Sequence, residues 1–237
     1  MENKGKMPLW LKEIVKRGFE PKKNFKLSKG LFSYVESNTR ELMVQPDQLI
    51  FALEGIPGSG KTTILKHFSL RNIECVQQML PQEIKDGQPL EFFERSEELK
   101  TEQVITSKYR IALLDRYYVS TLAFYWAADQ LLGTNNYDKV FQWYLTSISN
   151  KKIIKPFIVF YFKTKLSSSF LRKNRTPSSN SSDIWLSEEF LSLFDKYYLY
   201  FYKEIEPNTK LIVVDTDNDI KYVFEEVNKI IKKYEKI

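Results

Sequence analysis

The chain has 237 residues, which suits a single domain with a substantial core, and it is 43% hydrophobic, 28% charged and 15% aromatic. It holds no apolar run near the roughly 18 residues that cross a bilayer, and Met1-Glu2-Asn3-Lys4 leads into no signal-type segment. A cytoplasmic protein without a membrane partner is expected. The net charge of +6 comes from lysines interleaved with Asp and Glu, clustered only at Lys151-Lys152-Lys155 and Arg172-Lys173-Arg175, so no nucleic-acid polymer is expected as a partner.

Residues 1–48 form an N-terminal extension in which Pro8 precedes a short amphipathic helix, Leu9-Trp10-Leu11-Lys12-Glu13-Ile14-Val15, read as a packing or capping element. The domain proper spans 49–237. Leu49-Ile50-Phe51-Ala52-Leu53 predicts a buried strand, and Thr63-Ile64-Leu65-Lys66-His67-Phe68 a helix. Between them Gly55-Ile56-Pro57-Gly58-Ser59-Gly60-Lys61-Thr62 is a complete phosphate-binding loop. Its glycines Gly55, Gly58 and Gly60 let backbone N–H groups turn toward phosphates, with Ser59 and Thr63 beside them. Lys61 reaches the β/γ oxygens and Thr62 can ligate Mg²⁺, so ATP and Mg²⁺ are the expected cofactors.

Downstream, Ile73–Val76 predicts a second strand, Leu90–Ser107 a helix and Arg110–Leu114 a third strand. Helices over Ser120–Leu132 and Tyr137–Ile148 are separated by Gly133-Thr134-Asn135-Asn136, and Phe157–Phe162 is a fourth strand. Ser167–Ser182, rich in Ser, Asn and Pro, reads as a loop-like lid centred on about 167–186. A helix from Ser187 carries Phe190, Phe194, Tyr197, Phe201 and Ile205 on a face, followed by the strand Leu211–Val214 and a helix capped by Asp217-Asn218-Asp219. Repeated strand-then-helix order predicts a three-layer α/β P-loop NTPase fold, its central parallel sheet covered by helices on both faces. The lone cysteine, Cys75, reads as core, and His67 as a surface or packing residue. Trp126, Trp143 and Tyr144 read as core or a helix-packed face.

Asp115-Arg116-Tyr117 follows the third strand directly. A carboxylate at the carboxyl end of a buried strand lies where ligands bind, so Asp115 is a metal candidate and Arg116 a phosphate clamp. In the lid, Arg172 or Arg175 would meet the transition-state charge.

Glu54-Gly55 with Gly58-Ser59-Gly60-Lys61-Thr62-Thr63, together with Asp115-Arg116-Tyr117, Ser120 and Leu122-Ala123, resembles the thymidylate kinase family and, more broadly, the P-loop nucleoside and nucleotide kinases. Phe93-Glu94-Arg95 is similar to that family's F-x-x-x-R segment, with one residue fewer. The likeness covers about 49–232. It implies transfer of the γ-phosphoryl of ATP to a small nucleotide, most directly a deoxynucleoside monophosphate. Phe93, Arg95, Arg116, Tyr117, Ser120 and Phe124 would then line the acceptor, and a homodimer is implied. Tyr125 stands where the family usually has Gln, Met79-Leu80-Pro81 where it has R-E-P, and Asp183-Ile184-Trp185 where its lid has R-F-E.

Nucleoside kinases need a carboxylate base near the end of the second strand, and no acid lies between Cys75 and Gln82. Arg95 and Arg116 instead favour a phosphate-bearing acceptor. A deoxynucleoside kinase, a P-loop kinase of another small metabolite and a non-catalytic ATP-binding regulator remain open alternatives.

Overall fold

The structure, a computed structural model, describes residues 48–78, 90–173 and 184–235. The N-terminal helix, Met79-Leu80-Pro81, Arg175 and Asp183 therefore lie outside the described residues. The elements run β1 (Leu49–Glu54), α1 (Lys61–Phe68), β2 (Glu74–Val76), α2 (Leu90–Thr106), β3 (Ile111–Asp115), α3 (Tyr118–Leu132), α4 (Tyr137–Ser149), β4 (Ile158–Lys163), α5 (Leu166–Arg172), α6 (Glu188–Tyr200), β5 (Lys210–Asp215) and α7 (Ile220–Glu235).

All five strands pair in parallel in the order β2-β3-β1-β4-β5. Parallel strands need helical crossovers, and helices on both faces bury both sides, which is why β1 and β3 are wholly apolar until their last residue. The side-chain period of two sorts each strand between two cores. Phe51, Leu53, Ile111, Leu113 and Phe160 face α1 and α7, with Ile64, Phe68, Val223 and Val227. Ile50, Ala52, Ala112, Leu114 and Tyr161 face the other way, toward α3, α4 and α6 with their aromatic side chains Trp126, Tyr144, Phe190, Phe194, Tyr197 and Tyr198.

Helix ends follow local chemistry. The Ser187 hydroxyl accepts from the Phe190 N–H at 3.1 Å, and α3 stops at Gly133 in a left-handed conformation. Past Tyr200 the α6 helix widens into an i→i+5 turn over Phe201–Ile205, closed by the Glu206 N–H on the Phe201 carbonyl at 2.8 Å. The expected loop from Ser167 starts inside a helix instead. Three serines lower helix propensity, but Phe170 is buried and Ser169 Oγ donates to the Pro57 carbonyl at 2.6 Å, so tertiary anchoring overrides the local preference. Cys75 is half-buried, its thiol pushed up to about 11 chiefly by burial, and the His67 ring packs at a tilt on Phe224, 5.4 Å between centres.

Candidate active site

The crevice lies at the carboxyl ends of β1, β3 and β4, where β1 sits between its two neighbours. The loop after β1 turns tightly because its glycines take positive φ values, 135° at Gly55 and 77° at Gly58. A Cβ at Gly55 would stand 2.5 Å from the Phe162 carbonyl oxygen, and one at Gly58 2.7 Å from that of Ser169. Backbone thus packs against backbone on two sides of the loop. Lys61 begins α1 yet folds back, donating to the carbonyls of Gly55 (2.9 Å) and Ile56 (2.8 Å) and to Ser59 Oγ (2.8 Å). Burial pushes its ammonium well below the usual lysine range and Arg116 adds to this, while Asp115 and Glu54 pull the other way.

Residue parity splits the two strand-end carboxylates. Asp115 shares the face of Ile111 and Leu113, toward α1, and its Oδ2 accepts from Thr62 Oγ1 at 2.5 Å. Glu54 shares the face of Ile50 and Ala52, toward α3 and α6. It accepts from the Tyr117 N–H at 2.9 Å and from Ser120 Oγ at 2.6 Å. Glu54 is fully buried, and burial raises its carboxyl to about 7 against the lowering pull of Ser120, Arg116 and the Tyr117 N–H.

Arg116 follows Asp115 in a left-handed backbone conformation, φ 60°. Its Nη1 donates to Ser120 Oγ (3.2 Å) and Tyr198 Oη (3.3 Å), and its guanidinium sits 5.6 Å from the Phe194 ring centre. From β4's side, Arg172 reaches over the phosphate loop, donating to the carbonyls of Thr216 (2.6 Å) and Gly58 (3.4 Å).

Lys61, Thr62, Asp115, Arg116, Ser120 and Arg172 therefore converge on one crevice. Phe93 and Phe124 flank Tyr125, whose ring lies 6.4 Å from Phe93 and 5.4 Å from Phe124, and Phe124 also packs at 5.4 Å on Trp185. Two expected acceptor residues do not join them. Arg95 is on the outer side of α2, half-exposed and bonded to Glu98 and Glu102, on the side of the helix opposite Glu97. Tyr117 is buried with its hydroxyl against Thr101 and the Ile154 N–H, so it ties α2 to the chain before β4. No role was expected of Glu54, which stands only as part of the family-like motif, or of Glu97, Lys100 and Tyr198. Only Glu54 had a local signal, its place immediately before the loop.

The donor set fits the cofactors expected from the sequence. A hydroxyl and a carboxylate meeting at one point offer oxygen ligands to a hard cation. The glycine loop opening onto the start of α1 is a cradle for phosphate. Among the described residues there is no group of three or more His, Cys, Asp or Glu arranged to hold a metal ion, and no helix is long and apolar enough to cross a membrane.

The strand order, the loop and the strand-end carboxylate define a P-loop α/β fold with a central parallel sheet. That fold is similar to a deoxyadenosine kinase from M. mycoides, solved with bound dATP (20% identity, TM-score 0.55), with the products dCMP and a flexible dCDP (17%, 0.57) and with dCTP (18%, 0.53). Each likeness covers 78% of this chain and 100% of that one. No protein-family model matches the chain. No curated protein matches it either.

Proposed function

We propose that the chain transfers the γ-phosphoryl group of ATP to the 5′-hydroxyl of a deoxynucleoside. The observation that carries the phosphotransferase reading is the Thr62–Asp115 contact at the mouth of a loop whose lysine is already gathered onto it. Lys61 and the loop amides would hold the phosphates, and Thr62 with Asp115 would hold Mg²⁺, which when bound neutralises charge on the β- and γ-phosphates. Arg172 would cover the migrating group and Arg116 the acceptor end. The acceptor oxygen bonds to the γ-phosphorus as the bond to the bridging oxygen breaks, releasing ADP and a proton.

With no acid between Cys75 and Gln82, the proton of a 5′-hydroxyl would pass to water or to a carboxylate outside that stretch, and the choice of acceptor then turns on Arg95. With that side chain held by Glu98 and Glu102 on the outer face of α2, the cation pair that favoured a monophosphate is reduced to Arg116. The half-buried rings of Phe93, Phe124, Tyr125 and Trp185 suit a flat base, and the structural neighbours are deoxynucleoside kinases by name. A second reading, transfer to dTMP or another deoxynucleoside monophosphate as in thymidylate kinases, keeps the support of the paired loop and Asp115-Arg116-Tyr117 motifs.

ADP release from Mg-ATP against deoxynucleosides, their monophosphates and non-nucleotide alcohols, with Lys61→Ala as control, separates these. Turnover with deoxyadenosine or deoxycytidine that vanishes in the variant is expected. Turnover confined to monophosphates selects the second reading, and ATP binding with silence across the panel rejects both.

A further inference from the structure

Lys100 is buried completely in the middle of α2, although nothing in the sequence motifs points to it. Its ammonium donates to both oxygens of Glu97, at 3.3 and 3.1 Å, and to the Arg116 carbonyl at 3.1 Å. Glu97 is buried as well and accepts from Thr121 Oγ1 at 3.4 Å; burial raises its carboxyl while Lys100 pulls it down. A buried ion pair contributes little net stability compared with apolar residues of the same volume, so its presence calls for another reason.

That reason is at Arg116. A non-glycine residue in the left-handed region is strained, and such residues persist where their surroundings over-determine them. Both of its own backbone groups and the next N–H are held: its N–H donates to the Leu53 carbonyl at 3.0 Å, the Tyr117 N–H donates to Glu54, and its carbonyl accepts from Lys100. The first two anchors come from β1. The third comes from α2, the helix whose Phe93 packs against Tyr125 of α3.

We propose that Lys100, with Glu97 as its buried counter-charge, is a positioning residue that fixes the Arg116 carbonyl and thereby aims the guanidinium at the acceptor end. Its effect on turnover rests on the phosphotransferase reading above; its effect on the geometry of Arg116 does not.

The test uses the full chain with Lys100→Met and Glu97→Leu together, which replaces the pair by apolar groups and leaves no charge stranded. Expected are an ATP affinity and an ATP KM within about twofold of wild type and a kcat about tenfold lower, the size of one charge-assisted hydrogen bond. In an Arg116→Ala background the same pair of substitutions should cost less than about twofold, because Lys100 acts through Arg116. Additive losses, or an unchanged kcat in the doubly substituted chain, overturn the proposal.

A crystal structure of that variant needs no acceptor. Arg116 is expected to leave its left-handed conformation, or its Nη1 to leave Ser120 and Tyr198, and an unmoved Arg116 overturns the proposal. A wild-type chain without acceptor-dependent turnover would sink the enzymatic reading, and the crystal structure would still decide this one. Should the double variant fail to fold, Lys100→Gln is put through the same cycle and crystal comparison, with the same outcomes deciding.

Discussion

The two ends of the crevice are built by different means. On the α1 side, the loop from Gly55 to Thr62 is contiguous in sequence. It is shaped by backbone: positive-φ glycines, carbonyls that gather Lys61, and one carboxylate contributed from β3. On the α3 and α6 side, Arg116 is set by side chains from four separate stretches: Glu54 on β1, Lys100 on α2, Ser120 on α3 and Tyr198 on α6. Two of these carry buried charge. A loop made of backbone serves any triphosphate, since phosphate oxygens ask only for N–H groups and positive charge. A cage made of side chains can be retuned one residue at a time, and on the proposed reading acceptor choice would reside there.

The largest effects should come from the α1 side. Lys61→Ala removes the only side-chain cation inside the loop and is expected to lower kcat about 10³-fold with the fold intact. Asp115→Asn keeps the shape and a partner for Thr62 while removing the charge. A loss of about 10²-fold is expected, with a raised Mg²⁺ requirement read from a metal titration at fixed ATP. If instead the two variants lost activity with no change in metal dependence, the division of labour between the ends would be wrong.

The same contrast explains what the sequence disclosed. The loop and strand-end carboxylate are short-range patterns, each residue required by phosphate or metal chemistry at fixed spacing. The alternation of apolar runs and helical faces was enough to place all five strands to within about two residues. The acceptor end has no such spacing. Arg95 and Arg116 look equivalent as cations in a list, and only the winding of α2 shows one bonded to Glu98 and Glu102 outside and the other enclosed. Lys100 and Glu97 have the three-residue spacing of an ordinary exposed helix pair, and only the packing of α2 against Thr121 of α3 and the Arg116 carbonyl shows them buried. The helix that opens the expected lid was hidden by its serines, whose anchor to the Pro57 carbonyl lies 112 residues away in sequence.

Glu54 gives an intermediate effect and a pH signature. Its carboxyl ordinarily titrates at 4.5 and is raised to about 7 in the fold. Between those values the folded chain keeps a proton that the unfolded chain has lost, so this group's contribution to stability falls as pH rises through the window, and Glu54→Gln removes that slope from a melting series. For turnover the direction is opposite. The ionised carboxylate accepts from Ser120 and the Tyr117 N–H and is the counter-charge of Arg116. Acceptor-dependent kcat should therefore rise about tenfold through a pH near 7, and Glu54→Gln should flatten the rise while leaving the ATP KM unchanged. A variant that keeps the wild-type profile would remove Glu54 from the acceptor end.

The smallest effect is expected at Arg95, and it discriminates most between acceptors. Its guanidinium is half-exposed and engaged by Glu98 and Glu102, a surface arrangement that solvent screens. Arg95→Ala should change the acceptor KM and kcat by less than about twofold, whereas Arg116→Ala should cost about a hundredfold in kcat/KM for the acceptor. The two measurements belong in one experiment with a deoxynucleoside and its monophosphate as parallel acceptors. If Arg95→Ala is silent with both, α2 keeps its outer face outside the reaction and Arg116 alone serves the acceptor end. If it raises KM only for the monophosphate, Arg95 must leave its two glutamates and swing inward when phosphate arrives. The acceptor end would then be assembled by movement of α2 rather than held ready, and the monophosphate reading would take precedence.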